Sequence, residues 1–332
     1  MLVDKRVRVG AAQTFPEWFD LEGTVQKVEA WIEKASLESI DLLVFPECFL
    51  GGYPYWRGSE TMSESIEYLS LLQENAVERN SSEIFRLCRA AEKHKVNCVI
   101  GANELDREGG AFTLYNSQLI ISKAGELLAI RRKLMPTHSE RTYWGRGGTA
   151  DIVAFDLDVG RVGALICYEH HLGLLSAAMG LLGEEIHCAV WPGWWELARH
   201  LGDKRADVDA KYCDIEPITR AYAIQNGTFV VNCCPYAPES ARSGPWSRAY
   251  VNQVAIGGSN IINPSGIYIV PPTFNREELI WAEIDLKDRR LAKAFFDACG
   301  HYSRYDILRL EGHADLRKGI VVGDGLRAPG DS

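Results

Sequence analysis

The short runs DLLVF (41–45), VGALI (162–166), IHCAVW (186–191) and TFVVN (228–232) constrain this chain more than any other feature. A strand with one face in water alternates apolar and polar residues, whereas a strand covered on both faces is apolar throughout. These runs are of strand length and do not alternate, so they predict buried strands inside a layered core. Stretches with helical spacing lie around them, at Leu21–Ala35, Glu83–Lys95, Leu172–Leu182, Asp209–Ile224 and Leu286–Asp297. Further strands are predicted at Val7–Gln13, Val96–Gly101 and Leu279–Ile284. Two hairpins are predicted: Tyr115–Ser122 with Leu127–Arg132 around Lys-Ala-Gly-Glu, and Gly258–Ile262 with Ile267–Val270 around Asn-Pro-Ser-Gly. The polar sequence after Phe45 reads as loop. Strands and helices in alternation imply an α/β layered fold. No proline-rich or serine-rich linker interrupts the pattern, so residues 1–310 are expected to form one domain. Residues 311–332, polar, glycine-rich and ending APGDS, read as a tail that is flexible or contacts another subunit.

Composition removes several classes of function. With 46% hydrophobic and 24% charged residues over 332 positions, the chain can fill a sizeable core. Its net charge of −9 and its lack of any basic run exclude nucleic acid as a partner. No stretch approaches the roughly 20 apolar residues of a membrane helix, so no membrane association is expected. The opening MLVDKRVRVGAAQ turns directly into a strand pattern without a signal-peptide core. Nine cysteines, an odd number scattered through apolar segments, fit reduced thiols better than a disulfide framework. A cytoplasmic location is the expectation.

In α/β sheets, reactive groups gather just beyond the carboxyl ends of strands. Three polar residues stand directly after apolar runs: Glu47 after LLVFP, Lys133 after LLAIRR and Cys167 after VGALI. A lone cysteine is by default a buried core thiol. It becomes a nucleophile when a base takes its proton or a cation lowers its pKa. Glu47 and Lys133 are such a base and such a cation at equivalent strand ends, although spacing alone does not bring the three together. A metal reading also exists, because Cys167, His170 and His171 form C-x2-H-H, with His187-Cys188 downstream. Adjacent histidines point in different directions, however, and no second ligand pair with zinc-like spacing follows. Glu169 and His170 read as groups that orient the nucleophile, or, for Glu169, as an acidic residue at a helix N-terminus.

Three stretches in this order, FPECFLGGYP (45–54), RRKLMPTHSERTYWGRG (131–147) and GRVGALICYEHH (160–171), resemble the signature segments of the nitrilase superfamily. The likeness runs from VRVGAAQ at the start to GHYSRYDIL (300–308). The resemblance implies a four-layer α-β-β-α sandwich of two packed, mainly mixed sheets. It implies that Cys167 is the nucleophile, Glu47 the base and Lys133 the cation that meets developing negative charge. It further implies that Glu140 holds Lys133 and helps to position substrate. The implied chemistry is attack of the Cys167 thiolate on an electrophilic carbon bound to nitrogen, by way of thioimidate and thioester intermediates. Water is the second reactant, and neither a cofactor nor a metal is implied.

GGYP after Glu47, PTHSERTYWGRG after Lys133 and GHYSRYD near the end most resemble the true nitrilase branch, which turns a nitrile into the carboxylic acid and ammonia. Nitrilases usually carry Trp after the nucleophile, where this chain has Tyr168. Cys-Tyr-Glu is a combination of amidase-like branches, while His170 again matches a nitrilase variant. An amidase, or an enzyme that hydrates the nitrile and releases the amide, is the alternative. A catalytically idle scaffold is disfavoured by the joint presence of Glu47, Lys133 and Cys167. WPGWWEL (191–197) places three Trp in five residues after a strand end. Trp191, Pro192 and Gly193, with Tyr53, Trp56, Tyr143, Tyr168 and His170, are candidate pocket residues for an aromatic or arylaliphatic nitrile. The polar YAPESARSGPW (236–246) reads as a loop that, by the resemblance, contributes to subunit contact. A homo-oligomer, either a dimer or a helical spiral, is expected.

Overall fold

A computed structural model describes residues 5–56, 60–193, 214–242 and 255–311. The chain begins β1 (Arg6–Gln13), α1 (Leu21–Leu37), β2 (Leu42–Val44), α2 (Met62–Glu74), α3 (Ser82–His94) and β3 (Asn97–Asp106). It continues with β4 (Thr113–Ile121), β5 (Leu127–Arg132), β6 (Ala154–Leu157), β7 (Gly160–Ile166), α4 (Gly173–Leu181) and β8 (Ile186–Val190). Then follow α5 (Ile215–Asn226), β9 (Phe229–Cys233), β10 (Gly257–Ile262), β11 (Tyr268–Phe274), β12 (Glu278–Asp285) and α6 (Lys287–Phe295).

The strands form two six-stranded mixed sheets, ordered β12-β1-β2-β3-β4-β5 and β11-β10-β9-β8-β7-β6. Each has a parallel trio, β1-β2-β3 or β7-β8-β9, flanked by antiparallel strands. The two-residue period of a strand divides β2 between two cores. Leu42 and Val44 pack with Val9, Val99, Val162, Cys188 and Val231 in the layer between the sheets. Leu43 faces the other way, toward Val28 and Ile32 of α1 and Leu87 and Ala91 of α3. On the far side of the second sheet, Met179 of α4 and Tyr222 of α5 close the core. The result is the expected α-β-β-α sandwich. Helix α1 starts where Asp20 accepts a hydrogen bond from Gly23 N at 2.8 Å. It buries Val25, Val28, Ile32 and Ala35 at helical spacing, and each larger side chain contributes about 1.5–3 kcal/mol by leaving water.

Two elements depart from the sequence reading. Helix α2 occupies polar sequence expected to be loop, because only Tyr68 and Leu72 of its face are buried. Its start is a capping box in which Glu64 N donates to Thr61 Oγ1 and Thr61 N donates to Glu64 Oε2. Strand β6, too short to show a pattern, pairs with β7 across Ala154–Gly163 to Leu157–Gly160. The helix expected at Asp209–Ile224 is seen from Ile215 onward, and its residues 209–213 lie outside the described residues. The proposed tail beyond 311, Trp194, Trp195 and residues 243–246 of the expected loop lie outside them too. Residues 239–242 of that loop form a single helical turn. No helix among the described residues is long and apolar enough to cross a membrane.

The pairing pattern sets where strands end. β5 runs antiparallel to β4, which runs antiparallel to β3, so β5 points the same way as β2 and β3. The ends of β2 and β5 therefore share one edge. Glu47 N donates to Trp191 O at 3.3 Å, which brings that edge against the ends of β7 and β8.

Candidate active site

Glu47 sits on a turn that folds tightly over β3. Gly101 of β3 permits the approach: a Cβ there would lie 2.0 Å from Pro46 O and 2.8 Å from Glu47 Cα. A glycine inside a strand marks such a backbone crossing. The Glu47 carboxylate is buried, and its Oε1 accepts from Lys133 Nζ at 2.9 Å and from Asn116 Nδ2 at 2.6 Å. Its Oε2 has no hydrogen-bond partner among the described residues. That leaves one carboxylate oxygen open to take a proton.

Lys133 follows β5 directly, and its N–H donates to Asn116 O at 2.8 Å. Its fully buried ammonium also donates to Glu140 Oε2 at 2.8 Å. Glu140 lies in a helical turn, His138–Thr142, where Thr137 N donates to the same oxygen at 2.7 Å. Tyr53 donates its hydroxyl to Glu140 Oε1 at 2.7 Å. Two carboxylates thus share one buried cation. Burial pushes Glu47 up to about 7; Lys133 opposes the rise and Glu140 adds to it. Burial works against the Lys133 ammonium, but Glu140 and Glu47 together hold it well above its ordinary value, so it stays charged.

Cys167 stands one residue beyond β7 with a left-handed backbone, φ +52°. A non-glycine residue in that region marks a constrained turn. Its thiol is 5% exposed and is held well above the ordinary cysteine pKa by burial and then by Glu47. Lys133 and the Tyr168 N–H act in the opposite direction. The resting sulfur is therefore a thiol, and making it a nucleophile requires a base acting during attack.

Glu169 ties this turn to the lysine. Its carboxylate accepts from Ile166 N at 2.7 Å and Leu134 N at 2.8 Å, the residues flanking Cys167 and Lys133. Arg131 holds it by two further bonds, at 2.7 and 2.8 Å. Both readings of Glu169 fit this geometry: it lies in the first turn of the short helical segment Cys167–His171 and caps it through Ile166 N, and the same carboxylate ties that segment to the residue after Lys133.

The candidate pocket residues fall into two groups. Tyr53 bonds Glu140, Trp191 receives the Glu47 N–H, Pro192 O accepts from Tyr55 at 2.7 Å, and Gly193 is buried beside them with φ +113°. Tyr143 and Trp56 are engaged differently. The Tyr143 hydroxyl donates to Glu60 at 2.5 Å, and Trp56 packs against Phe19 and Tyr68 at 5.3 and 5.1 Å. Tyr168 donates to Asp214 at 2.6 Å and stacks on His171 at 4.3 Å. Both ring nitrogens of His170 are occupied within the protein, by Cys167 O and His187, so the imidazole has no free nitrogen for substrate. Asn116, Arg131 and Glu184 join the site or its surroundings without having been anticipated. Their one signal is a polar residue inside an apolar strand or beside one. No disulfide joins any two of the eight cysteines among the described residues.

Two stacked mixed sheets between helical layers are the architecture of the nitrilase superfamily. A carbon-nitrogen hydrolase from Helicobacter pylori G27 shares it, with a TM-score of 0.70 at 21% identity over 91% of this chain and 97% of its own. Residues 8–294 match the family model for carbon-nitrogen hydrolase, and the chain belongs to that family of enzymes. An aliphatic nitrilase from Rhodococcus rhodochrous is 37% identical over 311 residues, which span 91% of this chain and 81% of its own. A cyanide hydratase from Penicillium rubens is 32% identical over 326 residues, spanning 96% of this chain and 88% of its own.

Proposed function

We propose that the protein hydrolyses a nitrile to the carboxylic acid and ammonia. The observation that carries this reading is Lys133 clasped by Glu47 and Glu140, all close enough for their charges to act on Cys167, in a chain similar to an aliphatic nitrilase. As the sulfur attacks the nitrile carbon, Glu47 takes the thiol proton and passes it to nitrogen. A C–S bond forms, one C–N π bond becomes N–H, and a thioimidate results. Lys133 stabilises the charge that builds on nitrogen in this buried site. A first water adds to the thioimidate carbon with Glu47 as base. The C–N bond then breaks, ammonia leaves with the proton and a thioester remains. A second water attacks the thioester, the C–S bond breaks, and the acid leaves as the thiol regains its proton.

The intermediate that carries both sulfur and nitrogen opens to the amide if its C–S bond breaks first. Similarity to a cyanide hydratase favours that second reading. For the rest of the substrate we propose an aryl or arylalkyl group. Tyr53, Tyr55 and Trp144 form an aromatic wall beside Glu140, with ring centroids 5.0 and 5.8 Å from that of Tyr53. A panel of aliphatic, aromatic and arylaliphatic nitriles, with ammonia, acid and amide each quantified, tests these readings. Acid with equimolar ammonia is expected; amide without ammonia replaces hydrolysis by hydration, and turnover of amides alone makes the protein an amidase. Cys167→Ala abolishes turnover and the substrate adduct seen by mass spectrometry, and Cys167→Ser is nearly inactive because a hydroxyl ionises far less readily.

Self-association is proposed as well. Ile224, Leu291 and Phe295 are exposed along one surface groove, an apolar patch that a second copy of the chain can cover. Light scattering tests it, and a monomer at every concentration excludes it.

A further inference from the structure

A chain of buried polar side chains leads from the Cys167 carbonyl into the second sheet. His170 Nδ1 lies 2.6 Å from Cys167 O, and its Nε2 lies 2.9 Å from His187 Nε2. His187 Nδ1 lies 2.7 Å from Glu184 Oε2, and Tyr222 donates its hydroxyl to Glu184 Oε1 at 2.5 Å. All four side chains are buried. Trp191 stacks on His170 at 4.9 Å and Tyr222 packs on His187 at 4.1 Å, which fixes both rings. The reaction steps above use none of these side chains.

The direction of donation along the chain follows from its Cys167 end and from the burial of His170. A carbonyl can only accept, so His170 Nδ1 carries a hydrogen. Burial, and then His187, hold His170 well below the ordinary histidine pKa, so its ring is neutral and its Nε2 accepts. His187 must then donate from Nε2. One more proton lies between His187 Nδ1 and Glu184 Oε2, and Glu184 Oε1 accepts from Tyr222. Filled in this way, the chain carries no net charge and leaves no buried polar atom unpaired along its length, which is the condition for burial at low cost.

The carbonyl at its end belongs to the same peptide group as the Tyr168 N–H, and that N–H favours the thiolate of Cys167 by hydrogen bonding. Hydrogen bonds in series polarise one another. We infer that His170, His187 and Glu184 form a proton-filled ladder that holds the Cys167–Tyr168 peptide in its left-handed turn and strengthens the Tyr168 N–H toward the reacting sulfur. They are positioning residues, acting through that peptide. The inference rests on Cys167 being the nucleophile.

Nitrogen-15 NMR of the histidine-labelled wild-type enzyme reads the ladder directly, with His187→Gln used for assignment. The expected state is Nδ1–H with a bare Nε2 on His170 and Nε2–H on His187. A His170 protonated at Nε2 and bare at Nδ1 overturns the inference, and this readout needs no variant to fold except for assignment. Glu184→Leu removes the far partner of His187. It is expected to slow both kcat and the iodoacetamide alkylation of Cys167 about tenfold or more, with KM moving less than about threefold. Glu184→Gln, whose amide donates to His187 while its oxygen accepts from Tyr222, rescues both rates. Equal rates in the Leu and Gln variants overturn the ladder. Wild-type enzyme in which Cys167 forms no adduct with a nitrile it turns over overturns the nucleophile itself, and mass spectrometry sees that outcome separately.

Discussion

Arg131 donates twice to Glu169, at 2.7 and 2.8 Å, in an ion pair whose two side chains have no exposed surface. The same carboxylate receives the N–H groups of Ile166 and Leu134, so one charge pair sets the spacing between the Cys167 turn and the lysine strand. Breaking such a pair from one side strands a charge in the core. Arg131→Met is therefore expected to cost about 3–5 kcal/mol of stability. Urea unfolding measures it, and a loss below about 1 kcal/mol, the range of an exposed pair, is the result that contradicts it. The double variant Arg131→Met, Glu169→Leu removes the stranded charge and recovers part of the loss, but not the two backbone hydrogen bonds.

Lys133 is the one cation within hydrogen-bond reach of both Glu47 and Glu140 among the described residues. In the proposed reaction its charge is needed most when negative charge builds on the substrate nitrogen, and less when a neutral nitrile merely binds. Lys133→Met is expected to lower kcat by about 10²–10³ while KM changes far less. Single-turnover kinetics separates the two. A rise in KM at constant kcat shows instead that the lysine serves binding.

The two sheets are legible in the chain because strands buried on both faces carry an unbroken apolar run, as at Leu42–Val44 and, in the second sheet, at Val162–Ile166 within β7. Helix α2 is not, since two buried residues make no stripe; its legible mark is the Thr61–Glu64 capping box. Glu47, Lys133 and Cys167 stand out as polar residues just past apolar strands, which is a local signal. Asn116 and Arg131 lie inside strands, and their partners are 69 and 38 residues away. Only folding makes such residues functional neighbours. His187 shows the same limit: beside Cys188 it suggests a metal ligand, yet its partners prove to be Glu184 and His170.

Activity and stability should respond to pH in opposite senses through Glu47. Burial pushes its carboxyl up to about 7, and in the proposed reaction the ionised form is the base. The value of kcat/KM is expected to rise as pH increases through about 7, while Lys133, held well above its ordinary range, stays charged. The folded pKa exceeds the unfolded value, so the folded state binds this proton more tightly. The stabilising contribution is complete below the ordinary value of 4.5 and is lost as pH rises through about 7. Glu47→Gln removes both effects together. A pH–rate profile that stays flat across that interval contradicts the assignment of Glu47 as base.

Tyr53 separates a role in holding Glu140 from a role in touching substrate. Its hydroxyl donates to Glu140 Oε1 at 2.7 Å, while Oε2 serves Lys133 and Thr137. Tyr53→Phe keeps the ring that faces Tyr55 and Trp144 and deletes that donor to a buried carboxylate. The expected cost is about 1–3 kcal/mol of stability. With Glu140 less firmly held, the ammonium it steadies moves, and kcat is expected to fall about tenfold because small displacements near the reacting atoms are expensive. KM for aryl nitriles should stay nearly constant, because the aromatic surface remains. A changed KM with an unchanged kcat would make the hydroxyl a substrate contact and free Glu140 from any dependence on it.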